Sequence, residues 1–113
     1  MIGFDSNDRV YVDRSAIHGL GLFAARPLAE GQLVGVYRGA KTEKDGRHVL
    51  WLENEGGDGW TGVEGQNEMR FLNHADQPNA EMVGLSCYAV QFIAPDEEIT
   101  IDYGWNDSCY LHF

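Results

Sequence analysis

Basic residues run out early in this chain. No Lys or Arg follows Arg70. Residues 1–47 carry seven basic and six acidic side chains, whereas residues 48–113 carry Arg70 and twelve acidic ones. The 113 residues sum to a formal charge of −10. A nucleic-acid backbone is gripped by clustered Lys and Arg, so no direct nucleic-acid partner is expected. A cationic partner, steered in by long-range attraction, is the complementary expectation. An acidic surface that keeps the protein dissolved is the plainer one.

Cysteine is also scarce. Cys87 and Cys109 are too few for a disulfide-built secreted scaffold. They form no CxxC pair, and the four His have no metal-ligand spacing with them, so no metal site is expected. Free thiols in a reducing compartment follow. Long apolar runs are missing too. None approaches the ~20 residues that span a bilayer, and no charged-then-apolar leader opens the sequence. These absences predict a soluble intracellular protein with no signal peptide and no membrane partner. Helical periodicity is absent beyond about two turns, short of the ~11 residues of an ordinary helix.

What is present is enough for a core, since 43% of the residues are hydrophobic. The length predicts one domain over residues 1–113. Short apolar or alternating runs predict strands at Arg9–Val12, Leu20–Ala24, Gln32–Tyr37, His48–Glu53, Cys87–Ala94 and Glu98–Tyr103. In the last, Ile99, Ile101 and Tyr103 share one face. Ala94-Pro95-Asp96-Glu97 predicts a hairpin between the final two strands. Glycines between Gly56 and Gly65 predict loops and chain reversals. The one helical candidate is Asn67–Leu72, with Asn67 as N-cap. The fold class is mainly β, built of many short strands.

Three segments could carry chemistry. His18-Gly19-Leu20-Gly21-Leu22-Phe23-Ala24 matches the dinucleotide pattern G-x-G-x-x-A as a string. Pro27 interrupts the helix that this motif needs, and no second βαβ unit follows, so that reading fails. The glycines leave backbone that a ligand can approach closely, or else simply make a turn. Arg70-Phe71-Leu72-Asn73-His74 sets polar groups beside a flat apolar wall. A buried, satisfied His74 is the plain alternative to a functional one. Glu98–Gly104 ends a strand in Asp102-Tyr103, and Tyr103 is either functional or a hydrogen-bonded core tyrosine.

Taken together and in order, HGLGLFAARPLAEGQLVGVYRG, NEMRFLNHADQPN and FIAPDEEITIDYGW resemble the SET domain of protein lysine methyltransferases. The resemblance spans about residues 9–105 and rests on Gly19/Gly21, on Tyr37/Gly39, on Asn67/Arg70/Phe71/Asn73/His74/Pro78/Asn79, and on Glu97/Glu98/Thr100/Asp102/Tyr103/Gly104. It implies a β-clip fold of several small sheets with a C-terminal pseudoknot, which periodicity alone does not yield. It implies S-adenosylmethionine as cofactor, held by His18, Gly19, Leu20, Gly21, Arg70, Asn73, His74 and Tyr103, with Phe71 and His48 helping to shape the pocket. It implies a lysine substrate in a basic protein such as a histone, a channel lined by Tyr37, Ile101 and Trp105, and Tyr103 as the catalytic residue. A non-catalytic module that binds a basic tail or the cofactor is the competing reading.

The chain departs from the family pattern in three places. Ala75 and Asp76 stand where many members have Ser-Cys, so no zinc-binding post-SET segment is expected in the tail, residues 106–113. Trp105, Tyr110 and Phe113 either close the channel or pack on the core. Ile101 stands where many members carry Phe or Tyr, which leaves the number of methyl groups open. Segment 41–66 is short, and a homodimer or docking on a large substrate would complete the substrate groove.

Overall fold

The computed structural model describes residues 7–46, 48–54, 56, 58–103 and 109–112, the last four as backbone only. Eleven strands occur among them. They are β1 (Val10–Arg14), β2 (Leu20–Ala24), β3 (Leu33–Val36), β4 (Gly39–Thr42), β5 (Val49–Glu53), β6 (Trp60–Gly65), β7 (Asn73–His74), β8 (Ala80–Val83), β9 (Ser86–Ala89), β10 (Glu98–Ile101) and β11 (Cys109–His112). One 3₁₀ turn, Glu68–Phe71, precedes β7. No helix among the described residues is long and apolar enough to cross a membrane.

The strands form three small sheets, in the orders β1-β2-β10-β7, β11-β5-β6-β4 and β3-β9-β8. β10 is the pivot. It runs antiparallel to β2 and parallel to β7, with Thr100 opposite Asn73 and Ile101 opposite His74. Successive side chains of a strand point to opposite faces, and Ile99, Thr100 and Ile101 are all buried, so both faces of β10 are covered. Leu22, Leu28, Leu72, Ile93 and Ile99 are fully buried in the shared core.

Thr100 is polar, so its burial needs partners. Asn79 supplies them: its N–H donates to Thr100 Oγ1 at 3.4 Å and its Oδ1 accepts the Thr100 N–H at 2.8 Å, while its Nδ2 donates to the Glu98 carbonyl at 2.8 Å. One buried amide thus closes two backbone groups of β10.

Strands β2 and β5 fall where the sequence places them, within one residue. The strand expected at Cys87–Ala94 stops at Ala89, that at Gln32–Tyr37 is trimmed to Leu33–Val36, and that at Glu98–Tyr103 ends at Ile101. The Ala94–Glu97 turn exists, with the Glu97 N–H donating to the Ala94 carbonyl at 3.1 Å, but it makes no hairpin. β9 and β10 lie in different sheets. Asp96 N–H donates to the Ala24 carbonyl at 2.7 Å and Ala24 N–H to the Glu97 carbonyl at 3.0 Å. The turn is thereby tied to the end of β2, which steers the chain out of the third sheet into the first.

Glycines 62 and 65 are strand residues in β6, not reversals. A Cβ on Gly62 would lie 3.0 Å from the Trp51 ring, and one on Gly65 would lie 2.5 Å from the Tyr37 hydroxyl. They are small because aromatic side chains pack against the strand. Asn67 does not cap the 3₁₀ turn with its side chain. Its amide instead bridges the end of β3 and Arg38, donating to the Val36 carbonyl at 2.8 Å and accepting from Arg38 N–H at 3.2 Å.

Asn79→Ala should strand the Thr100 N–H and the Glu98 carbonyl, at a cost of about 1–3 kcal/mol for each group. A lowered urea midpoint with an unchanged slope is the expected result, and a wild-type midpoint would contradict it.

Candidate functional site

The site is built around the turn from Ser15 to Gly21. Gly19 sits at φ +46, in the left-handed region that glycine adopts without strain. Ser15 N–H closes the turn on the Gly19 carbonyl at 2.8 Å. A side chain placed on Gly19 would meet nothing within 4 Å, so the backbone there faces open space. Gly21 differs. A Cβ there would lie 2.4 Å from Glu98 Oε2, so the missing side chain makes room for a carboxylate of this chain rather than for an approaching ligand.

Asn73 joins this turn to β7. Its Nδ2 faces the His18 carbonyl at 3.1 Å, the Leu20 carbonyl at 3.0 Å and Glu98 Oε2 at 2.9 Å. The pairing of β7 with β10 puts the Asn73 amide there, so two segments far apart in sequence are clasped by one side chain. The His18 and Leu20 side chains point to solvent, and only their backbone takes part.

His74 continues the array. Its Nδ1 accepts from Tyr103 N–H at 3.0 Å, and its Nε2 lies 3.1 Å from Asp76 Oδ1. These partners assign the neutral tautomer with the proton on Nε2. Asp102 Oδ1 lies 3.7 Å from Nδ1, but the closer Tyr103 N–H occupies that lone pair. The His74 and Tyr103 rings sit 5.6 Å apart at 54°.

Both tyrosines give their hydroxyl protons to the backbone. Tyr103 donates to the Leu72 carbonyl and Tyr37 to the His48 carbonyl. Tyr37 is fully buried; Tyr103 is partly buried, against the core. Burial, reinforced by the Glu98 charge, pushes the Tyr103 phenol up to about 12. Burial raises Tyr37 further, with the Tyr103 phenol adding to the effect and Arg70 opposing it. Each phenol therefore holds its proton at neutral pH and turns its lone pairs away from the carbonyl it serves.

His48 sits at φ +63, a conformation uncommon for a residue with a Cβ. The same His48 carbonyl accepts from Gly65 N–H at 2.8 Å. The His48 ring meets Phe71 edge-on at 6.3 Å, and the Arg70 guanidinium lies 5.4 Å above the Phe71 ring. Arg70 Nε is buried without a hydrogen-bond partner among the described residues.

The structure thus brings His18–Gly21, Asn73, His74 and Tyr103 into one connected array, with Tyr37, His48, Arg70 and Phe71 in a second group coupled to it through Tyr103. Ile101 is fully buried in the core. Trp105, Tyr110 and Phe113 lie outside the residues whose side chains are described; the backbone of β11 pairs with β5. Sequence reasoning missed Ser15, the Asn67 bridge, the Asn79 clamp and the His48 carbonyl. These act through single hydrogen bonds between distant segments, which leave no local pattern.

Comparison with known proteins converges on one family. The model of the SET domain matches residues 19–104. A Plasmodium falciparum protein provisionally named a histone-lysine N-methyltransferase is 31% identical over 129 residues, covering 91% of this chain and 2% of that protein. Human histone-lysine N-methyltransferase 2B is 32% identical over 118 residues, covering 87% of this chain and 4% of that protein. The chain therefore spans only a small part of the length of these relatives. Among solved structures, the methyltransferase domain of human histone-lysine N-methyltransferase SETMAR superposes with a TM-score of 0.72 at 23% identity, over 87% of this chain and 47% of that one. The methyltransferase domain of human PR domain-containing protein 2 gives 0.70 at 21% identity, over 90% and 81%. The fold is that of SET domains: mainly β, in several small sheets. The chain belongs to the SET-domain family.

The raised Tyr103 value carries a pH signature. A free phenol ionises near pH ~10, so the stability tied to the neutral buried phenol is complete below that pH. It is lost as pH rises from there to about 12. Tyr103→Phe should flatten this alkaline fall in denaturation midpoint; an alkaline limb identical to wild type would contradict the burial of the phenol.

Proposed function

We propose that the chain is a protein-lysine N-methyltransferase that uses S-adenosylmethionine and acts on lysine in a basic protein, of which a histone is the leading example. The observation that carries this reading is the array itself: an open glycine turn, the Asn73–His74 pair and a protonated Tyr103 held in one hydrogen-bonded unit.

The residues present fit the cofactor. The backbone beside Gly19 is open, so a side chain of the ligand can lie along it. Arg70 offers a buried N–H donor without a partner among the described residues, suited to an anionic group such as a carboxylate. Phe71 and the His48 ring offer flat walls to a heteroaromatic base. His18, Gly19, Leu20, Arg70, Asn73 and His74 would hold the molecule, with Tyr103 beside its reacting end. Once bound, S-adenosylmethionine supplies a sulfonium-activated methyl group.

The chain's own task is to present a neutral amine. A lysine ammonium has a pKa of ~10.4 and is no nucleophile until it loses a proton. A dry channel leading to Tyr103 would disfavour the charged form by desolvation. Tyr103 cannot take that proton, because its phenol is already protonated and its hydrogen is engaged with Leu72. The proton leaves to water. What the Tyr103 oxygen retains is lone pairs. An amine that donates N–H to them has its own lone pair turned the other way, toward the methyl group. Alignment of this kind is a large source of rate. The run of β10 between β2 and β7 is in keeping with the threaded C-terminal arrangement expected of the family.

Acidity supports the choice of a basic target. Twelve of the 18 acidic residues lie after residue 47, in the half that carries Asn73, His74 and Tyr103. Exposed charges act over a screening length of ~8 Å at physiological salt, so substrate KM should rise with ionic strength while cofactor affinity changes little.

Transfer of labelled methyl from S-adenosylmethionine to histones or other basic proteins tests the proposal. Wild type should transfer, and Tyr103→Phe should lower kcat by roughly a hundredfold with the fold intact. Tight cofactor binding with no transfer to any basic protein would overturn the catalytic reading. Unchanged turnover in Tyr103→Phe would overturn the role of that residue.

A further inference from the structure

We infer that Ser15 and Glu98 are positioning residues for the cofactor, acting through the Asn73 amide and the backbone of His18–Leu20. The inference rests on the function proposed above and extends it to two side chains that do not themselves touch the ligand.

The Glu98 carboxylate fills the space that Gly21 leaves, as the 2.4 Å approach of a hypothetical Cβ indicates. Ser15 Oγ donates to it, at 2.8 Å from Oε1 and 2.9 Å from Oε2. Asn73 Nδ2 lies 2.9 Å from Oε2. The carboxylate therefore receives hydrogens from both sides and has none to give.

Ser15 is fully used. Its single hydrogen goes to Glu98, and its oxygen accepts from Ile17 N–H at 2.9 Å and His18 N–H at 3.3 Å. The hydroxyl converts the carboxylate's position into the shape of the turn. Asn73 is also committed, with two N–H bonds facing His18 O, Leu20 O and Glu98 Oε2. Glu98 fixes the amide's rotation, and the amide fixes the two carbonyls that flank the open Gly19 backbone.

The arrangement has a definite polarity. Replacing the carboxylate by an amide would set N–H groups against the donors of Asn73 or Ser15. Glu98→Gln thus keeps the shape and breaks the pairing. The charge itself also bears on the site, because Glu98 contributes to the raised pKa of Tyr103. Its field favours positive charge there, in keeping with a sulfonium cofactor and an arriving lysine.

Calorimetric titration with S-adenosylmethionine, with amide exchange followed by NMR on the same proteins, tests the inference. Ser15→Ala and Glu98→Gln should each weaken cofactor binding by roughly tenfold or more, as loss of a hydrogen bond to a charged group does. In Ser15→Ala the Ile17 and His18 amides should exchange faster. Ser15→Thr, which keeps the hydroxyl, should bind within about twofold of wild type, and KM for the lysine peptide should move no more than that in Ser15→Ala. Faster exchange at Ile17 and His18 with wild-type cofactor affinity would overturn the inference and leave the network structural. Equal weakening in Ser15→Thr and Ser15→Ala would overturn it in favour of packing. Failure of the wild-type chain to bind S-adenosylmethionine would instead refute the proposed function, and this inference with it.

Discussion

The structure depends on one strand that has no solvent face. β10 lies between an antiparallel and a parallel neighbour, and Ile99, Thr100 and Ile101 are all buried along it. Such a strand must satisfy every polar group it carries inside the protein. Asn79 answers for Thr100 N–H and the Glu98 carbonyl. Ser15 and Asn73 answer for the Glu98 carboxylate. His74 answers for Tyr103 N–H just beyond the strand. Two of the groups that solve this burial problem, Asn73 and His74, also belong to the candidate site, so the packing of β10 and the shape of the site depend on each other.

Much of this was legible in the sequence, and for identifiable reasons. β2 and β5 carry apolar runs of strand length, so their periodicity shows. The four motifs of the resemblance stand in register, and the residues they name do gather: Asn73 reaches the glycine turn and His74 reaches Tyr103. What stayed hidden is non-local. Glycines 62 and 65 look like turn formers until the rings of Trp51 and Tyr37 are seen against them. Pro95-Asp96 makes the expected turn, yet its hydrogen bonds to Ala24 decide which sheet the chain enters next. Asn67 has the residue type and position of an N-cap, but a tertiary bridge to Val36 and Arg38 claims its amide. Local chemistry announced that these residues were special without saying to whom they bind.

The two phenols illustrate how the fold restricts mechanism. A tyrosine beside a reacting amine invites the role of base. Here the hydrogen of each is spoken for by a carbonyl, and burial opposes its loss. What remains available is an acceptor of fixed direction. The acidic half of the chain would add long-range attraction for the cationic substrate proposed above, and Glu98 a local one. Under the proposed function, such a site would collect, dry and orient a lysine, with proton removal left to solvent.

The central claim is that the β10 crossing assembles one site from the glycine turn, the Asn73–His74 pair and Tyr103. Titration of the nitrogen-15-labelled chain with S-adenosylmethionine, monitored by amide NMR, tests it most directly. The account predicts shifts concentrated at residues 18–21, at residues 70–74 and at Tyr103, with the β8–β9 edge unmoved. Shifts centred on β8 and β9, or saturation that leaves residues 18–21 and 70–74 in place, would contradict it.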